Sequence, residues 1–328
     1  MKTSMEDTED RIQNTEGKSA LLYSAFCILY SSVMQIVLFP GQGSQVKGMG
    51  ADLFDRFPEM TAAADAILGY SIKELCVEDP RGELGQTQFT QPALFIVNAL
   101  TYRARMDDGA ARPDCAAGHS LGEYNALFAA GCFDFETGVQ LVQERGALMG
   151  RVSGGGMSAV IGLEPERIQS VLFESDAGRN IDVANFNSFE QTVIAGPKDD
   201  LERVKPALET AGARMVVPLN VSAPFHSRYM RDAQREFDGF LQKFEFRAPE
   251  LPVISNVRAR PYEGDMVRAT LAEQIGNSVR WLDSMLYLME KPEPTFTEVG
   301  PGQVLTKLLK QIQKRAQGTG HRAEGEKG

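Results

Sequence analysis

Hydrophobic and polar positions follow two different periods along this chain. Residues 35–39 form a short apolar run that ends at Pro40-Gly41, which predicts a buried strand running into a turn. Residues 92–102 carry Ala93, Leu94, Val97 and Leu100 at helical spacing. Residues 115–118 read as a strand of small residues, and residues 122–130 and 135–149 read as helices, the second with Val139, Val142 and Leu148 among its apolar positions. This alternation of strand, turn and helix predicts an α/β fold with a mostly parallel sheet.

The middle of the chain has another rhythm. After Gly154-Gly155-Gly156 the pattern predicts strand 157–162, helix 164–174, strands 181–185 and 191–196, helix 198–211 and strand 215–221. That order, β-α-β-β-α-β, is ferredoxin-like and has the size of a small inserted domain. The expected organisation is a larger domain from 34–153 and 223–312, with 154–222 inserted between its halves. The larger domain resumes with helix 231–244, strand 251–256 and helices 266–275 and 281–289. The polar, Gly-rich stretch 313–328 is expected to be disordered.

Residues 19–46 carry no charge, which raises the possibility of a membrane span. Its first apolar part is short and is broken by Ser31-Ser32. The preceding segment holds Glu6, Asp7, Glu9 and Asp10, the wrong sign for the leading region of a signal peptide. The sequence therefore predicts that the globular protein starts near Met34, with 1–33 an extension that is disordered or a non-native start.

Composition narrows the function classes. The 328 residues are 43% hydrophobic and 24% charged, with a net charge of −10, which argues against a non-specific nucleic-acid binder. Cys27, Cys76, Cys115 and Cys132 form no CxxC pair, and no Cys/His cluster has metal-ligand spacing. Reduced thiols in a cytoplasmic enzyme with no metal and no bound cofactor are the expectation.

Gly118-His119-Ser120-Leu121-Gly122 matches GxSxG between a predicted strand and a predicted helix. A nucleophilic serine on so tight a turn needs glycines beside it, and the following helix aims its N-terminus at the site, where the Leu121 N–H can face an oxyanion. A serine nucleophile needs a base. His321 lies in the polar tail and His119 adjoins Ser120, so elimination leaves His226, after Pro224-Phe225; a buried structural histidine is the alternative. The loop Gly41-Gln42-Gly43-Ser44-Gln45 follows the first strand and fits no phosphate-loop motif, but it can lend a second oxyanion donor from Gln42. Arg145 has two readings: a solvated arginine pairing with a local carboxylate, or a guanidinium fork holding a substrate carboxylate.

Taken together, FPGQGSQ at 39–45, TQPAL at 90–94, GHSLGEY at 118–124, RGALM at 145–149, PFHS at 224–227 and EVGPGQVL at 298–305 resemble the malonyl-CoA:acyl carrier protein transacylase family from about residue 35 to 312. The resemblance implies an α/β-hydrolase-like larger domain and transfer of malonyl from malonyl-CoA to an acyl carrier protein. It implies that Ser120 is the nucleophile and His226 the base, that the N–H groups of Gln42 and Leu121 form the oxyanion hole, and that Arg145 holds the malonyl carboxylate. It further implies that the backbone carbonyl of Gln274 orients the histidine, that Phe225 marks a malonyl-type pocket, and that Asn185 and Asn187 face the cleft. The stretches GGGMSAVIG, IDVANFN, NVSAPFHSRYM and ISNVRARPYE resemble the free-standing acyltransferases of modular polyketide synthases more than the fatty-acid enzyme. Pro224 departs from the small residue more frequent there. The partners implied are malonyl-CoA and an acyl carrier protein or the carrier domains of a polyketide synthase; no nucleic acid and no membrane are expected, and the protein itself is expected to be a monomer. An acyl hydrolase clearing carrier proteins is the rival on the same scaffold.

Overall fold

The computed structural model describes residues 33–325, with side chains placed to residue 318. The expectation for 1–33 therefore lies, Val33 apart, outside the described residues. Strand β1 (Met34–Phe39) begins where the apolar run predicts. It is flanked by β2 (Cys115–Gly118) and β8 (Pro294–Glu298), and β7 (Val253–Ile254) completes a four-stranded sheet in the order β7-β2-β1-β8. Every pairing in it is parallel.

A parallel sheet is buried on both faces, and the pleat sorts the side chains between them. On β1, Val37 and Phe39 enter the core built by α4 (Thr87–Asp107), α5 (Gly122–Ala129) and α6 (Phe135–Arg151). Ile36 and Leu38 enter a second core, with Trp281, Met285 and Leu288 of α11 (Trp281–Met289) and Leu305, Leu308, Leu309 and Ile312 of α12 (Val304–Gly325). Before α4 come α1 (Ala51–Arg56), α2 (Pro58–Leu68) and α3 (Ile72–Val77), and before α11 come α9 (Arg231–Leu241) and α10 (Val267–Gly276).

Two expectations about helices are corrected. Helix α4 starts at Thr87 and holds Pro92 inside it, five residues earlier than the apolar pattern alone predicts; the Thr90 hydroxyl donates to Leu84 O and Gln86 O and secures its first turn. The stretch expected to be disordered from 313 onward is the continuation of α12. Glu298 at the end of β8 accepts from the N–H groups of Leu305 and Thr306 at 3.0 and 2.9 Å, a carboxylate cap that favours the helix start. Leu305, Leu308 and Ile312 then anchor it at helical spacing, and Arg315 pairs with Glu164 at 2.9 Å.

The second sheet has the order β4-β5-β3-β6, all antiparallel, from β3 (Gly155–Ile161), β4 (Asp182–Ser188), β5 (Gln191–Pro197) and β6 (Met215–Pro218). With α7 (Pro165–Glu174) and α8 (Lys198–Thr210) it forms the β-α-β-β-α-β unit read from the sequence, around its own core of Val160, Ile168, Ile194 and Val204. The two sheets are stitched where β4 meets the loop after α10: Val279 N–H donates to Ala184 O at 2.8 Å and Phe186 N–H to Val279 O at 2.9 Å. The ends of β1, β2 and β7, the loop carrying His226 and the end of α10 converge beside this seam.

Candidate active site

Ser120 sits on the turn between β2 and α5 with φ of 51°, a left-handed conformation that a residue with a side chain holds only when its surroundings enforce it. Two distant side chains do so. Asn256 accepts from Ser120 N–H at 2.7 Å and donates to Gly118 O at 2.6 Å. The Gln274 amide donates to Ser120 O at 2.7 Å. The glycines are required by space: a β-carbon on Gly118 would lie 1.9 Å from the carbonyl carbon of Gly122, and one on Gly122 would lie 2.0 Å from Phe39 O.

The expected base reaches this serine. His226 Nε2 is 2.7 Å from Ser120 Oγ, and its Nδ1 is 2.9 Å from the carbonyl oxygen of Gln274. A carbonyl only accepts, so Nδ1 carries the proton and the lone pair of Nε2 faces the serine hydroxyl. Burial, and then the nearby charge of Arg145, hold His226 down to about 3. The imidazole is therefore neutral and able to accept the hydroxyl proton.

Arg145 is 1% exposed, which rules out the solvated reading. It comes from α6 and donates to Gln91 Oε1 at 2.6 Å, to Gln274 Oε1 at 2.7 Å and to Ser120 Oγ at 3.2 Å. Its guanidinium carbon lies 5.3 Å from the centre of the Tyr124 ring. No carboxylate forms an ion pair with it among the described residues. Arg145 is thus a buried cation solvated by two amides, an aromatic face and the Ser120 hydroxyl.

The remaining predicted residues divide. The loop of Gln42 packs on the serine turn, since a β-carbon on Gly41 would lie 2.3 Å from His119 O and 3.5 Å from Leu121 N. The Gln42 side chain donates to Thr87 Oγ1 at 3.3 Å, and neither the Gln42 nor the Leu121 N–H has a backbone acceptor among the described residues. Phe225 is buried beside His226. Asn187 accepts from His119 Nε2 at 2.8 Å, and His119 stands against Trp281 with ring centres 5.4 Å apart. Asn185 is buried at the seam, where β4 bridges to Val279. A cleft of about 640 Å³ opens next to His226, bordered by Phe186, Arg228, Asn277 and Ser278.

Sequence reasoning missed four contributors: Gln91, Glu123, Asn256 and Tyr262. Glu123 is fully buried, and its carboxylate accepts from the Gln274 amide at 2.6 Å, the Tyr262 hydroxyl at 2.7 Å and Asn256 N–H at 3.0 Å. Burial pushes its carboxyl up to about 7, against the lowering effect of those hydrogen bonds and of Arg145. All four lie inside motifs already singled out, but nothing local distinguishes Glu123 from a surface glutamate in the first turn of a helix. Among the described residues, no group of three or more His, Cys, Asp or Glu could hold a metal, and no helix is long and apolar enough to cross a membrane.

A serine on a strained turn, a neutral imidazole and a buried cation beside them define a serine-dependent acyltransferase. The acyl transferase domain family matches residues 36–324. The chain is 55% identical over 281 residues to the polyketide biosynthesis malonyl CoA-acyl carrier protein transacylase PksC of Bacillus subtilis, covering 85% of this chain and 97% of that protein. It is 41% identical over 282 residues to the malonyl CoA-acyl carrier protein transacylase of Escherichia coli, covering 84% of this chain and 91% of that one. The crystal structure of the malonyl CoA-acyl carrier protein transacylase from Burkholderia pseudomallei superposes with a TM-score of 0.83 at 50% identity, covering 86% of this chain and 99% of that chain. The chain belongs to the malonyl-CoA:acyl carrier protein transacylase family.

Proposed function

We propose that the protein moves a malonyl group from malonyl-CoA to the phosphopantetheine thiol of an acyl carrier protein, in the cytoplasm, supplying a polyketide synthase. The observation that carries this reading is the buried Arg145 guanidinium within 3.2 Å of Ser120 Oγ. A malonyl group has a carboxylate two carbons from its thioester carbonyl, so a cation beside the nucleophile can hold one end while Ser120 attacks the other.

The cycle has two half-reactions. His226 Nε2 accepts the Ser120 proton as Oγ bonds to the thioester carbon. The tetrahedral oxyanion is stabilised by the N–H groups of Gln42 and Leu121. On collapse the C–S bond breaks, and the imidazolium returns its proton to the departing coenzyme A sulfur. The carrier thiol then gives its proton to His226, attacks the Ser120 ester and leaves as the malonyl thioester, with the proton returned to Ser120 Oγ. Both ends are thioesters, so the enzyme gains most by keeping water out. No bound cofactor takes part. Residues 154–222 act as a small domain beside the cleft, where Asn185 and Asn187 border the acyl path.

Arg145 also separates this reading from the hydrolase, because an enzyme that clears neutral acyl chains has no use for a buried cation. An acetyl group would leave that cation unpaired at a cost of about 1–3 kcal/mol. The test is a donor-by-acceptor assay with malonyl-, methylmalonyl- and acetyl-CoA against a polyketide and a fatty-acid carrier. Malonyl transfer, faster to the polyketide carrier, is expected. Rapid release of free acid from acetyl-carrier, with no malonyl transfer, would overturn the reading.

A further inference from the structure

Gln274 lies at the centre of the site and is bonded on every side. Its carbonyl oxygen accepts from His226 Nδ1 at 2.9 Å. Its side-chain oxygen accepts from Arg145 at 2.7 Å. Its side-chain nitrogen donates to Ser120 O at 2.7 Å and to Glu123 Oε2 at 2.6 Å. The carboxamide thus stands between a buried guanidinium and a buried carboxyl group, its oxygen toward Arg145 and its nitrogen toward Glu123. Its orientation is fixed because a guanidinium can only donate, while the Ser120 carbonyl and an ionised Glu123 carboxylate can only accept. The other oxygen of Glu123 is held by Tyr262 and by Asn256 N–H, and Asn256 also clamps the serine turn.

We propose that Glu123 is a positioning residue that sets selectivity for a carboxylated acyl group: it locks the Gln274 carboxamide so that its oxygen holds the Arg145 fork beside Ser120. The inference rests on the malonyl-transfer reading above and adds a residue that touches neither substrate nor the reacting atoms.

Glu123→Gln is the decisive substitution. Asn256 N–H requires an oxygen opposite it, so the new amide nitrogen must face Gln274. Two donors then meet, and relief requires the Gln274 carboxamide to turn over, which presents an NH₂ group to Arg145 and an oxygen to Ser120 O. The readout is the ratio of kcat/KM for Ser120 acylation by malonyl-CoA and by acetyl-CoA, with thermal stability measured alongside. The ratio is expected to fall at least about tenfold, mainly through the malonyl KM, because a charge-assisted bond to Arg145 is lost. Tyr262→Phe removes a bond on the far side of the carboxylate and leaves the Gln274 contact in place, so its ratio is expected to stay within about twofold of the parent.

A Glu123→Gln protein that keeps the parent ratio overturns the proposal. So does an equal loss in Tyr262→Phe, which would mean general loosening. Should the Gln variant fail to fold, Glu123→Asp, which keeps the charge but withdraws it from Gln274, decides the question: an unchanged ratio overturns the proposal and a lowered ratio supports it. If the parent protein itself shows no preference for malonyl, the underlying reading fails, and that result is distinct from either variant's behaviour.

Discussion

The guanidinium of Arg145 and the hydroxyl of Ser120 are hydrogen-bonded to each other at 3.2 Å, although Ser120 sits on the turn after β2 and Arg145 arrives on α6. The contact places positive charge at the atom that the proposed cycle makes the ester oxygen. It makes Arg145 part of the same hydrogen-bonded cluster as Ser120 and His226.

Removing that charge should change which acyl group is accepted. Arg145→Ala is expected to lower kcat/KM for malonyl-CoA by about a hundredfold, the scale of a lost charge-assisted pair, while acetyl-CoA changes much less. Competing malonyl- and acetyl-CoA in one reaction and weighing the acyl-enzymes checks this. A retained malonyl preference would assign the carboxylate to another residue.

The pH dependence should differ between donors. Burial first, and Arg145 second, keep His226 neutral far below the ordinary histidine range. An acetyl donor leaves the Arg145 charge in place, so His226 should impose no fall in acylation at saturating donor as pH passes through about 6.5. A malonyl carboxylate offsets that charge, so the acid limb of kcat should sit higher for malonyl than for acetyl. Single-turnover acylation across the pH range measures both limbs, and coincident limbs would contradict the coupling.

The same group bears on stability. The folded value is depressed, so below an unfolded value of about 6.5 the unfolded chain takes up a proton that the folded chain refuses. This contribution is present above that pH and is lost as pH falls toward about 3. Denaturant unfolding at a series of pH values should show the midpoint falling on acidification, and less steeply in His226→Ala.

Asn256 should matter to the fold of the serine turn more than its distance in sequence suggests. Asn256→Ala leaves Ser120 N–H and Gly118 O without their partner at a half-buried, left-handed residue. A loss of about 2–4 kcal/mol is expected from urea unfolding, together with reduced acylation. An unchanged unfolding midpoint would mean that the turn is held by its glycines and Gln274 alone.

Much of this site was legible in the chain, because its main parts sit in local patterns. Gly118 and Gly122 flank Ser120 for steric reasons that a motif records, and His226 follows by elimination among three histidines. Arg145 was ambiguous, since burial decides between a solvated arginine and a binding fork, and burial is not local. Glu123 was invisible for the same reason: its partners Asn256, Tyr262 and Gln274 lie 133, 139 and 151 positions away. The β-α-β-β-α-β unit was readable from its alternating periods. The last helix was not, because its polar C-terminal half is built on the anchor of Leu305, Leu308 and Ile312 rather than on an apolar pattern of its own.

The most direct measurement is the intact mass of the protein after brief incubation with malonyl-CoA, followed by mapping of the modified peptide. One malonyl group on Ser120 is predicted, chased off by a carrier-protein thiol and absent from Ser120→Ala. An unmodified parent protein, or a label that persists in Ser120→Ala, would contradict the account.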